Sequence, residues 1–87
     1  MRHRLILRPS ARRDLKKLLG RDYELVIGAL HSLQDELQIG DIKKLSGINL
    51  LRLRVRNFRI IYFLDDKQNV IYIERIARRN ESTYRGL

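Results

Sequence analysis

The stretch Leu51-Arg52-Leu53-Arg54-Val55-Arg56-Asn57-Phe58-Arg59-Ile60-Ile61-Tyr62 decides the fold of this chain. In its first half, leucine and valine alternate with arginine, which is the two-residue repeat of a β-strand with one buried face. Arg56-Asn57 suits a tight turn. Residues 58–64 are apolar on both faces apart from Arg59, as expected of a central strand. The stretch therefore predicts a β-hairpin.

The flanking sequence predicts the other elements. Residues 2–8 suit a first strand that Pro9 ends, and Pro9-Ser10 suits the start of a helix. Gly20 is expected to end that helix, a second helix should run from about Asp22 to Gln38, and residues 70–76 should form the last strand. The prediction is a single α+β domain over residues 1–87, in the order β-α-α-β-β-β. A helical hairpin would pack on one face of a curved, mainly antiparallel sheet.

The apolar positions of both helices recur at helical spacing, so each helix should bury one stripe against the sheet. In the first helix these positions are Ala11, Leu15, Leu18 and Leu19. In the second they are Leu25, Val26, Ala29, Leu30, Leu33 and Leu37.

The charge of the chain indicates a polyanionic partner. Its 87 residues include 19 Lys and Arg against 10 Asp and Glu, a net charge of +9. The charge is uneven, because the middle helix holds several acids while no carboxylate occurs between Asp41 and Asp65. That interval carries Lys43, Lys44, Arg52, Arg54, Arg56 and Arg59. Nucleic acid, the ribosome, a membrane surface or an acidic protein would suit such a face; a merely soluble basic surface is the alternative.

Other features narrow the class of protein. The chain has no cysteine, which removes a thiol nucleophile and a zinc–thiolate site and fits a reducing cytoplasm. No apolar run is long enough to span a membrane, and we expect a cytoplasmic protein. His3 and His31 suit structural or surface roles. Because no carboxylate cluster accompanies the basic stretch, we expect no metal and no other cofactor.

The alternation places Arg52 and Arg54 on the face of the sheet turned away from the helices, about 7 Å apart along the strand. Arg59 returns on the neighbouring strand and can lie near Arg54. Three guanidiniums on one open face repel each other unless an anion binds, which favours a phosphate site over a solvated edge.

The C-terminal part adds Arg75, Arg78, Arg79, Tyr84 and Arg85, which can approach the same face if the tail folds back. A tyrosine among cations is a candidate general base, because nearby positive charge lowers the pKa of its phenol. Tyr84 could equally pack or stack. RNA can be cut at such a site without a metal, since its 2′-hydroxyl is an internal nucleophile and arginines can stabilise the phosphorane.

Three segments resemble, in order, the pattern of the RelE/ParE toxin superfamily. They are Pro9-Ser10-Ala11 with Leu15-Lys16-Lys17-Leu18, then Lys43-Lys44-Leu45-Ser46-Gly47, then the stretch from Leu51 to Tyr62. The resemblance covers nearly the whole chain, and the last segment is the most specific. RelE-like members cleave messenger RNA in the ribosomal A site, whereas ParE-like members inhibit DNA gyrase.

The resemblance implies roles for individual residues of the nuclease branch. Tyr84 would be the base, Arg79 would assist the leaving group (Arg78 is the alternative), and Arg52, Arg54 and Arg59 would hold the phosphate. Arginines stand at positions 52 and 54, where the best-studied RelE members have lysines. We expect further RNA contacts from Lys43, Lys44, Arg56, Arg75, Arg78 and Arg85.

The resemblance also implies partners. Such toxins act on the ribosome and messenger RNA, are held inactive by an acidic antitoxin, and contact operator DNA only through the antitoxin complex. A +9 chain suits an acidic, partly disordered partner. A ParE-like gyrase inhibitor and a non-catalytic RNA- or ribosome-binding module remain as alternatives.

Overall fold

The computed structural model describes residues 3–35, 41–45 and 50–79. Two helices, α1 (Pro9–Lys16) and α2 (Gly20–Asp35), follow the first strand. The strands are β1 (Arg4–Leu7), β2 (Asp41–Lys44), β3 (Leu50–Val55), β4 (Phe58–Asp65) and β5 (Val70–Arg78). They form one open sheet in the order β1-β5-β4-β3-β2, in which β1 is parallel to β5 and the other pairs are antiparallel. The predicted α+β architecture is confirmed.

The sheet has one strand more than the sequence predicted. Residues Asp41–Lys44 form β2 and pair with β3, so that β3 is an interior strand rather than an edge. The hairpin between β3 and β4 is connected by Arg56-Asn57, as the sequence predicted. Arg56 has a φ of +51° there, in the left-handed region of the backbone, which is unfavourable for any residue that has a Cβ atom.

The core lies between the helices and one face of the sheet. Val26, Leu30 and Leu33 of α2 pack there, with alternate residues of the central strands, including Leu53, Ile60 and Tyr62. The stripe of α2 is confirmed within the described residues, whereas Leu37 lies outside them. Leu19 was expected in the core, but it is 81% exposed. The reason is that α1 ends at Lys16, so its buried stripe does not extend to Leu19.

Helix α1 lies beside β5, along the part of the β5 edge that does not pair with β1. β1 pairs with β5 only as far as Leu7 and Ile73. Beyond that point, Asp14 of α1 accepts a hydrogen bond from the backbone N–H of Ile76 at 2.8 Å. A carboxylate thus satisfies an edge donor that would otherwise need water or another strand. Within the described segments, no helix is long and apolar enough to cross a membrane.

Candidate phosphate-binding site

The strand register brings two arginines face to face. Arg54 of β3 lies directly opposite Arg59 of β4, and the neighbouring pair Leu53 and Ile60 is buried in the core. Since successive side chains alternate between the faces, Arg54 and Arg59 lie on the face away from the helices. Directly opposed Cβ atoms in such a ladder are about 5 Å apart. The predicted proximity of these two guanidinium-bearing side chains is therefore present in the fold.

Arg52 lies on the same face but is not open to solvent as the sequence predicted. Its residue is only 5% exposed. In the ladders it is opposite Lys43 of β2 on one side and Ile61 of β4 on the other. The extra strand β2 is the physical reason, because it flanks Arg52 where an open edge was expected. Arg52 is consequently a fixed cation within the sheet, while Arg54 and Arg59 are half-buried.

A cavity of about 480 Å³ opens at the end of the sheet beside Arg59. It is lined by Asn57, Arg59, Arg78 and Arg79. The volume is within the range of roughly 300–1,000 Å³ that small-molecule sites occupy. Among the described residues that line it, every charged one is an arginine, so the cavity suits an anionic group.

Arg78 and Arg79 differ in their contacts. Arg79 donates its backbone N–H to the carbonyl of Asn57 at 2.7 Å, and its Nη1 donates to the carbonyl of Arg56 at 3.3 Å. These bonds hold Arg79 against the β3–β4 turn, next to Arg59. Arg78 instead contacts Asp22 at 3.4 Å, and its guanidinium carbon lies 5.0 Å from the ring centre of Phe58, a core residue. The contacts favour Arg79 over Arg78 as the arginine of this site.

Three further basic residues were predicted to bind RNA from the same face. Lys43 is exposed and opposite Arg52, so it shares the face of Arg52. Lys44 is opposite Leu51, whose side chain packs against the core, so the alternation turns Lys44 to the other face from the arginines, and its RNA contact stays a prediction. Arg56 is exposed at the hairpin turn.

Arg75 was also predicted to bind RNA, and the structure gives it a defined protein contact. Its Nε donates to Asp14 Oδ2 at 2.8 Å and its Nη2 donates to Asp14 Oδ1 at 3.1 Å. This bidentate pair fixes the direction of the guanidinium. Arg75 is therefore a held side chain rather than a mobile phosphate ligand.

The candidate base Tyr84 and the candidate RNA ligand Arg85 lie outside the described residues. Among the tyrosines that are described, Tyr62 is buried in the core, and burial raises the pKa of its phenol to about 12. A phenol with so high a pKa is a poor base near neutral pH. No group of histidine, cysteine, aspartate or glutamate suited to a metal ion occurs among residues 3–35, 41–45 and 50–79.

The sequence interpretation missed Asp14 and the irregularity of β5 that Asp14 supports. The register shifts between Ile61 and Tyr62 of β4, because Tyr62 is opposite Ile73 whereas Ile61 is opposite Arg75. Glu74 is the extra residue of this β-bulge. Without it, the alternation would turn Arg75 toward the core. The sequence contains a signal of this bulge, because the core residues Ile71 and Ile73 are two positions apart whereas Ile73 and Ile76 are three apart.

The sequence from residue 5 to residue 83 matches the family of the ParE toxin of type II toxin–antitoxin systems, parDE. The chain belongs to this toxin family. Comparison with proteins of curated function gave no match. The predicted resemblance to the RelE/ParE superfamily is thus confirmed.

Solved structures of the superfamily superpose on nearly the whole chain. A chain of the toxin–antitoxin complex RelBE2 from Mycobacterium tuberculosis is 26% identical, with a TM-score of 0.77 and coverage of 91% of this chain and 100% of that one. A chain of the archaeal RelE–RelB complex from Pyrococcus horikoshii OT3 is 25% identical, with a TM-score of 0.80 and coverage of 93% and 99%.

The fold of this ParE-family toxin also matches a RelE toxin without its antitoxin. A mutant of E. coli toxin RelE in the free state is 20% identical, with a TM-score of 0.77 and coverage of 95% of this chain and 90% of that one. At this identity the likeness shows the fold alone. The neighbours identify the architecture as RelE-like, and the family match identifies a toxin of a type II toxin–antitoxin system.

Proposed function

We propose that this toxin is an endoribonuclease that cleaves messenger RNA in the ribosomal A site. The observation that carries the proposal is the opposition of Arg54 and Arg59 on the face of the sheet away from the helices, beside the cavity that Arg59 and Arg79 line. Arginines held by a rigid sheet can bind the oxygens of a phosphodiester and stabilise the negative charge that develops during its cleavage.

The reaction needs no metal. The 2′-hydroxyl next to the scissile phosphate loses its proton to Tyr84 and attacks phosphorus, and the bond from phosphorus to the 5′-oxygen breaks. The leaving 5′-oxygen takes a proton from water and Tyr84 returns its proton to solvent, so that the products are a 2′,3′-cyclic phosphate and a 5′-hydroxyl. Arg52, Arg54 and Arg59 stabilise the phosphorane. Arg79 neutralises charge on the leaving oxygen, since the pKa of an arginine is too high for it to be an efficient proton donor.

The partners follow from this activity. The toxin binds the ribosome and its messenger RNA in the cytoplasm, and an acidic antitoxin covers it until it is released. The solved neighbours from M. tuberculosis and P. horikoshii are complexes of toxin with antitoxin, which supports a partner of this kind. Operator DNA would be contacted only through the antitoxin complex.

A second candidate function is inhibition of DNA gyrase. The observation that favours it is the match to the ParE toxin family over residues 5–83. In that case the arginines would bind a protein or DNA surface without chemistry, and the tyrosine hydroxyl would be dispensable.

Induction of the toxin, followed by mapping of new 5′ ends on translated messages, separates the two functions. The nuclease proposal expects new ends inside reading frames within minutes, and their loss when Tyr84→Phe removes the base while the protein still folds. Supercoiling defects without new ends, unchanged by Tyr84→Phe, would instead establish the gyrase inhibitor.

A further inference from the structure

A second concave surface lies on the arginine face of the sheet, about two residues along β4 from Arg59. Its cavity volume is about 460 Å³, and it is lined by Arg8, Ser10, Leu50, Ile61, Phe63, Glu74 and Arg75. We propose that this cavity, called here the base pocket, receives a nucleobase of the RNA strand whose phosphate lies at Arg54 and Arg59. The inference rests on the proposed function only in taking RNA as the ligand.

The floor of the base pocket is apolar although it faces away from the main core. Leu50 and Phe63 are directly opposite each other in the β3–β4 ladder, on the face of Arg52 and Ile61. Ile61 is only 1% exposed, yet it is not part of the core cluster between helices and sheet. Leu50 and Phe63 are only half-buried, so part of this apolar surface lines the cavity. The ring centre of Phe63 lies 6.3 Å from that of Tyr72.

The rim of the pocket holds two guanidiniums whose positions are fixed. Arg75 is held by the bidentate contact with Asp14. Arg8 contacts Glu74 at 3.2 Å, and its guanidinium carbon lies 4.5 Å from the ring centre of Tyr72. Both guanidiniums are paired with carboxylates, so the rim is polar without a net positive charge. An apolar floor with a polar rim suits a planar ring with a polar edge. A nucleobase has this composition, since its face stacks on aromatic surface and its edge forms hydrogen bonds.

The pocket and the phosphate site are continuous along one strand. Arg59, Ile61 and Phe63 alternate on the same face of β4, so that Ile61 lies about 7 Å and Phe63 about 13 Å from Arg59 along the strand. A single RNA strand can therefore place a phosphate at Arg59 and a neighbouring base over Phe63. An antitoxin segment is the other occupant to consider, but the continuity of the pocket with Arg54 and Arg59 along the strands favours RNA.

The test uses the full-length toxin and a short probe that it cannot cut, a 2′-O-methyl RNA trinucleotide. We expect Phe63→Leu, which keeps an apolar side chain but removes the ring, to weaken binding roughly tenfold, the size of one lost base stack. Phe63→Tyr should bind as the wild type does. Tyr23→Leu, which removes a partly exposed aromatic from α2, should also leave affinity unchanged.

Removing the bases of the probe one at a time gives the matching change in the ligand. One of the abasic probes should bind the wild type about tenfold more weakly than the intact probe does. The same abasic probe should bind Phe63→Leu no more weakly than the intact probe does. The intact probe should also shift the methyl NMR signals of Ile61 and Leu50. Wild-type affinity in a folded Phe63→Leu variant, weakened binding by Phe63→Tyr, or Ile61 and Leu50 signals that respond only to an antitoxin segment would overturn the proposal. Failure of the nuclease proposal would show separately as absence of cleavage, because this probe measures binding alone.

Discussion

Asp14 of α1 and Arg75 of β5 form a bidentate ion pair that ties the first helix to the edge of the sheet, with Nε to Oδ2 at 2.8 Å and Nη2 to Oδ1 at 3.1 Å. Asp14 is 9% exposed and also accepts the backbone N–H of Ile76. One carboxylate thus fixes a helix, a β-bulge and a side chain on the arginine face. This contact supports the sheet on which the proposed site depends.

Changing Asp14→Asn should destabilise the protein by about 2 kcal/mol, because a buried carboxylate that accepts three hydrogen bonds becomes an amide with a single acceptor oxygen. Urea unfolding of the variant measures the loss. In a double-mutant cycle with Arg75→Gln, the two changes should couple by at least about 1 kcal/mol. Simple additivity would mean that the pair contributes nothing to stability.

The turn between β3 and β4 contains a residue in an unfavourable conformation, since Arg56 has a φ of +51°. Arg56→Gly should therefore stabilise the fold by about 1 kcal/mol, because glycine adopts this region without steric cost. Arg56→Ala is the matched control: it removes the same charge but keeps a Cβ. Equal stabilities of the two variants in thermal unfolding would show that charge, and not backbone strain, determines the effect.

Tyr62 should make the stability of the protein depend on pH in the alkaline range. Burial raises the pKa of Tyr62 to about 12, above the value of about 10 in an unfolded chain. A raised pKa means that the stabilisation is complete below pH 10 and is lost as pH rises toward 12, by up to about 1.4 kcal/mol for each pH unit. Unfolding measured from pH 9 to pH 12 should show this loss, and Tyr62→Phe should reduce it. An identical pH dependence in Tyr62→Phe would refute the assignment.

Binding of RNA to the arginine face should depend on salt through individual phosphate contacts. Arg54→Gln should lower the slope of the logarithm of affinity against the logarithm of salt concentration by about 0.7, the value for one phosphate contact to a single strand. Arg12→Gln, an exposed substitution on α1, should leave the slope unchanged. Equal slopes for wild type and Arg54→Gln would place the phosphate elsewhere.

The parts of the fold that local patterns specify were predicted from the sequence. The alternation from Leu51 to Val55 placed β3, its buried face and the opposition of Arg54 to Arg59 correctly. Strand β2 was missed because Asp41-Ile42-Lys43-Lys44 has too few residues for a pattern, and its pairing with β3 comes from tertiary contact. That omission is also why the burial of Arg52 was not foreseen.

The candidate site was predicted in part for similar reasons. Arg59 and Arg79 meet at one cavity, as expected. The ion pair of Arg75 was not foreseen because its partner Asp14 is 61 positions away in the sequence, and local sequence patterns do not indicate contacts between such distant residues. The role of Tyr84 stays a prediction, since the residue lies outside the described segments.

Cleavage of a translated message in a purified translation system, with the rate followed by mapping of 5′ ends, tests the central claim most directly. The account predicts that Arg59→Gln lowers the cleavage rate by at least about a hundredfold, the scale of losing one preorganised donor to a developing oxyanion. Arg12→Gln should cleave at the wild-type rate. Wild-type cleavage by a folded Arg59→Gln variant, at the same positions in the message, would contradict it.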